Sequence, residues 1–151
     1  QRYHRARRAR RRRVWLALDH CAIFAMIAGT YTPILLLAFP HPLGASLAAA
    51  EWVLAGIGIA VRLRLGRLHW TMIPVFLALG WFGFLWAGTM FAGLEGGGPL
   101  LLAGGMVYTA GLVPYLWRSL PFNHALWHAF VVAGAVCHYL VVAKYVLPAA
   151  G

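Results

Sequence analysis

The stretch Asn123-His124-Ala125-Leu126-Trp127-His128 opens the last long apolar segment of the chain and sets two imidazoles four residues apart. On a helix, positions i and i+4 lie one above the other on one face, so both rings can close on a single ion. The chemistry suits zinc. Neutral imidazole nitrogen binds Zn²⁺ at roughly 2.0–2.1 Å, and a catalytic site takes about three protein ligands plus an open position for water. Two ligands are too few. Taken alone, the pair also reads as two histidines of an apolar helix that donate to neighbouring carbonyls. Its meaning depends on whether other segments bring a third ligand and an acid to the same depth.

The composition narrows where such a site could lie. The chain has 151 residues, 62% hydrophobic and only 11% charged, with a mean hydropathy of +0.74. That is too apolar for a soluble domain and reads as an all-α, polytopic transmembrane bundle. The net charge of +10 would suit nucleic acid, but most of it sits in one arginine run beside a membrane span, which reads as a cytoplasmic loop with no nucleic-acid partner. Cys21 and Cys137 fall inside predicted spans. They read as small buried apolar residues, not as a disulfide framework.

Residues 1–13 hold arginines at positions 2, 5, 7, 8, 10, 11, 12 and 13 and are expected to form an arginine-rich loop. Five spans are predicted in a single domain over 1–151, at about 14–39, 45–63, 70–90, 99–117 and 123–147. Each fits the roughly 20 residues needed to cross the bilayer core. Pro33 is expected to kink the first of them, since its missing N–H frees a carbonyl. Pro40, Pro42 and Gly44 mark one turn, and Glu95 with Gly96-Gly97-Gly98 another. Gly104, Gly105 and Gly111 would let neighbouring helices approach the fourth span closely.

Orientation follows from the loop charges. The initial run, Arg62, Arg64, Arg67 and Arg118 fall on one side and account for twelve of the thirteen basic residues, while Lys144 lies on the other with Glu51 and Glu95. The positive-inside rule makes the arginine side cytoplasmic and puts the C-terminus outside. His124 and His128 then lie where the last span leaves the cytoplasmic side, Asp19 and His20 where the first complete span does, and His4 just before the arginine run. Asp19 is the single carboxylate on that side. It reads either as a salt-bridge partner of a nearby arginine or as a group that holds or deprotonates a metal-bound water. His20 points about 100° away from Asp19 around the helix and reads as structural. His138 is ten residues past His128, about 15 Å along the axis and too deep to share the ion. His41 and His69 fall in loops and carry no signal.

Three blocks resemble the signatures of the hemolysin III family, the bacterial branch of the progestin and adipoQ receptor group that includes the adiponectin receptors. They are Tyr3-His4; Leu18-Asp19-His20 followed by the run from Ile27 to Pro33; and Asn123 to His128 followed by Phe130-Val131 and His138-Tyr139. The run from Ala103 to Gly111 resembles the family's penultimate helix, and Gly80-Trp81 its middle one. The likeness covers nearly the whole chain. It implies a seven-helix fold in the bacterial plasma membrane with a zinc ion near the cytoplasmic face, held by His4, His124 and His128, with Asp19 contacting it through water. The family's serine four residues before its first histidine falls ahead of Gln1, as do its first helix and most of its second, so the resemblance implies an N-terminally shortened chain.

The function expected from these residues is a zinc-dependent intramembrane hydrolase of a lipid amide or ester, with Asp19 as general base, or a membrane-homeostasis protein. The ceramidase-like activity of adiponectin-receptor relatives is what the resemblance adds. Membrane lipids are the expected partners, one of them as substrate or ligand. The alternatives are a cytolytic, channel-like protein, as the family name suggests, and a receptor in which zinc only staples helices together. No polar stripe on the spans supports a pore. There is no Glu beside the histidines, so this is not an H-E-x-x-H protease. A retinal-type photoreceptor would need a lysine at mid-membrane, whereas the one lysine, Lys144, is sixteen residues beyond His128.

Overall fold

A computed structural model describes residues 2–65 and 72–148, with side chains except those of residues 2–6, 8, 9 and 12. The elements are α1 (Arg2–Ala38), α2 (Leu43–Leu65), α3 (Met72–Trp81), a 3₁₀ segment (Phe82–Trp86), α4 (Ala87–Gly93), α5 (Gly98–Leu116), α6 (Asn123–Val141) and a π-helical turn (Val142–Val146). No strand occurs among the described residues. Five stretches are long and apolar enough to cross a membrane: Arg13–Ala38, Leu43–Leu65, Met72–Gly93, Gly98–Leu116 and Asn123–Val146. The chain is therefore an all-α polytopic bundle. Large apolar side chains such as Trp15, Leu63, Val113 and Val132 are more than 60% exposed, a surface that lipid solvates and water does not.

Two elements differ from the sequence expectation. The arginine run is not a loop: it is helical from Arg2 and continuous with the first span. Arginine is a good helix former, and nothing in the run breaks a helix. The third span is not one helix, because a 3₁₀ segment over Phe82–Trp86 divides it. Gly80 and Gly83 weaken the helix there, and Gly83 packs so close under Tyr31 that an added Cβ would meet the phenol ring at 2.7 Å. α1 itself runs through Pro33 without interruption.

Pairwise packing explains the arrangement. α1 and α2 lie together because Gly58 accepts the Phe24 ring and Gly44 abuts the Leu35 backbone. At one end Trp52 Nε1 donates to Thr32 Oγ1 at 2.9 Å, and at the other Arg62 Nε donates to His20 Nδ1 at 2.7 Å. α5 and α6 form the second pair, with rings of one helix seated on glycines of the other: His138 over Gly104, Trp127 and Phe130 over Gly111, and Tyr108 over Gly134. Gly104 and Gly111 thus act as expected. Gly105 instead turns to Trp81 at ordinary contact distance. The broken third span bridges the pairs. Tyr31 donates its O–H to the Gly80 carbonyl, and Trp81 Nε1 donates to Thr109 Oγ1 at 3.2 Å. One apolar core joins Ile34, Leu35, Met90, Leu94, Leu101 and Val141; a second joins Phe24, Ala28, Ala55, Met72 and Leu79.

Candidate metal centre and cavity

The geometry begins at the entry to α6. Phe122 holds φ at +58°, a left-handed value that a bulky side chain adopts only when its surroundings impose it. The chain turns there directly into the helix, and the Asn123 side-chain oxygen accepts the His124 backbone N–H at 2.8 Å. His124 and His128 follow on one exposed face. Their Nε2 atoms are 3.0 Å apart, with ring centroids separated by 4.4 Å and planes at 87°. Two nitrogens bound tetrahedrally to one zinc at 2.0–2.1 Å would be about 3.3 Å apart, so the pair needs only a small spread to receive an ion. Without one, a single proton between the two Nε2 atoms makes a hydrogen bond of the same geometry.

The third expected ligand, His4, lies on the first turn of α1, fifteen residues and so about 22 Å along the helix axis before Asp19, and its side chain is outside the described residues. Among the described residues no group of three or more His, Cys, Asp or Glu side chains could hold an ion, so Asp19 does not join the histidine pair as a direct ligand. Asp19 is half-buried on α1 and interacts electrostatically with Tyr115 of α5. Tyr115 in turn packs on Trp127, ring centroids 5.2 Å apart. Since Trp127 immediately precedes His128, Tyr115 packs at the level of the histidine pair. His20 is structural, as expected, but its partner was not legible. Arg62, read from sequence as part of a basic loop, is buried and donates to His20. Glu51, counted with the charges of the opposite side, is 1% exposed within α2.

A cavity leads away from this level. It is lined by Tyr115 and Trp127 at one end and by Tyr31, Tyr108 and His138 at the other, and its walls are almost wholly apolar. Trp127 and His138 are eleven residues apart on α6, about 16 Å along the axis, enough to run deep into a leaflet. His138 does not share the metal site. Its Nε2 lies 3.2 Å from the Leu101 carbonyl oxygen. Because a carbonyl can only accept, that nitrogen carries the proton. The cavity-lining positions on α5, Gly105, Tyr108, Thr109, Leu112 and Tyr115, follow the helical period of one face. In a helix that is apolar all round, no contrast marks that face in the sequence.

Comparison with known proteins bears on what this arrangement is. The family model described as "Haemolysin-III related" matches residues 2–139. The chain belongs to the haemolysin-III family. Hemolysin-3 of Bacillus cereus is 41% identical over 140 residues, covering 91% of this chain and 64% of that protein. The Hemolysin-3 homolog of Bacillus subtilis is 38% identical over 130 residues, covering 85% and 61%. The haemolysin-III likeness extends to adiponectin-receptor-like relatives: the human monocyte to macrophage differentiation factor is 31% identical over 129 residues, 84% of this chain and 53% of that one. This chain thus spans less than two-thirds of the length of these curated relatives. No solved structure matches it. The matched residues include the blocks that carry Asp19, His124 and His128.

Proposed function

We propose that this haemolysin-III protein is a zinc-dependent intramembrane hydrolase of a lipid amide or ester, with the arginine-bearing side of the bundle cytoplasmic. The observation that carries the reading is the convergence of His124 and His128 Nε2 atoms at 3.0 Å, one residue from a Trp127 that walls an apolar cavity. His124 and His128 would hold the ion, which when bound supplies Lewis acidity for the scissile carbonyl and lowers the pKa of water. Asp19 takes the proton from the attacking water. Its electrostatic interaction with Tyr115, whose ring packs on Trp127, supports a role through water. The cavity receives the acyl chain, excludes bulk water and fixes the depth at which the carbonyl stops. A wall so largely apolar is complementary to a hydrocarbon chain.

The decisive measurement is hydrolysis of fluorescent ceramide and acyl-amide lipids by the full-length protein and by His128→Ala. The wild type should cleave at least one of them and the variant should not. Equal rates would overturn the reading. If neither cleaves, yet chelation lowers the melting temperature, the zinc is a structural staple of a receptor or homeostasis protein. Dye release from zinc-free liposomes would instead mark a cytolytic channel.

A further inference from the structure

The arginine run carries an inference separate from the metal site. α1 does not end at the membrane boundary: the span proper begins at Arg13, while the helix begins at Arg2. Eleven residues of continuous helix therefore stand outside the apolar segment, about 16 Å at 1.5 Å per residue. Arg7, Arg10, Arg11 and Arg13 are exposed on these turns. At 100° per residue they fall within about half of the helix circumference, spread over about 9 Å along the axis. No carboxylate precedes Asp19 in the chain, so these turns carry a net positive charge.

We propose that this arginine ladder is a binding site for the headgroups of anionic phospholipids in the adjoining leaflet. Three points favour a lipid over other polyanions. The last rung, Arg13, is the first residue of the span itself and so sits at headgroup depth. The ladder continues the helix of the first span past that point. A guanidinium takes a phosphodiester in a planar, bidentate way while its aliphatic stem reaches along apolar surface. Basic clusters directly outside a span are attracted to anionic leaflets by an amount equivalent to roughly fivefold in affinity per residue.

The test uses the intact protein in a neutral detergent, with phosphatidylglycerol or phosphatidylcholine added and retained lipid read by native mass spectrometry. Melting temperature is followed in parallel. Phosphatidylglycerol should be retained in preference and should raise the melting temperature. Retention should fall about fivefold for each arginine removed in Arg10→Gln/Arg13→Gln and further in the variant with Arg7→Gln and Arg11→Gln added. Lys144→Gln, at the far end of the bundle, should leave it unchanged. Replacement of the same four residues by lysine should keep most of the retention, which separates lost charge from lost folding. Equal retention of the two lipids, or undiminished phosphatidylglycerol on the double glutamine variant, overturns the proposal. So does a single-stranded RNA that binds the ladder and is not displaced by phosphatidylglycerol.

Discussion

The His138 ring occupies the notch that Gly104 leaves in α5, closer than any side chain at that position would allow. This contact sets the distance between α5 and α6, and the same ring is tied by Nε2 to the Leu101 carbonyl. Gly104→Ala must push His138 or the whole of α6 away, and overpacking of that kind costs about 1–3 kcal/mol. Gly105 provides the control. Its nearest neighbour is Trp81 at 3.7 Å, so Gly105→Ala should be neutral or slightly stabilising, since alanine is favoured over glycine in a helix by about 0.5–1 kcal/mol. Thermal unfolding of both variants in detergent should separate them clearly.

Glu51 supplies the opposite sign. It is 1% exposed, and neither carboxylate oxygen has a hydrogen-bond partner among the described residues. A buried polar group without a partner destabilises by about 1–3 kcal/mol. Glu51→Leu, close in volume, should therefore raise the melting temperature of the detergent-solubilised protein. A fall would show that the carboxylate has a partner.

Arg62 and Arg64 lie two residues apart on α2 but in different surroundings. Arg62 is 6% exposed and donates to His20, while Arg64 faces outward. Removing the partner of a buried hydrogen bond to a charged group costs about 1.5–3 kcal/mol. Arg62→Ala should destabilise by that order and loosen α1 from α2, whereas Arg64→Ala should change stability by less than about 0.5 kcal/mol. Equal melting temperatures for the two would remove the clamp from the account.

The metal reading makes a prediction that does not depend on turnover. The protein purified from zinc-containing medium should carry about one zinc per chain, bound through the histidine pair. His124→Ala and His128→Ala should each lose it. Chelation should lower the melting temperature of the wild type and leave those variants unaffected, because an ion that binds only the folded state stabilises it by mass action. Full zinc occupancy in His124→Ala would exclude the pair as ligands.

The sequence by itself determined the class of structure and the spacing of the histidine pair. Five apolar stretches of bilayer length can satisfy their backbone groups only as helices, and two histidines at i and i+4 must share a face wherever that helix lies. The turns marked by Pro40 and Pro42 and by Glu95 to Gly97 were equally legible, because glycine and proline act locally, although Gly44 and Gly98 already belong to the helices that follow. Tertiary structure decided what depends on which faces meet. In an apolar helix every face looks alike to a sequence reading, so neither the cavity between Trp127 and His138 nor the seating of rings on Gly104, Gly111 and Gly134 could be read. Charge misled in two places for the same reason. Arg62 and Glu51 were counted as markers of opposite membrane sides, yet both are buried within the bundle. The spacing of His124 and His128 was written in the chain, but the convergence of their nitrogens on one point came from rotamers that only the folded α6 imposes.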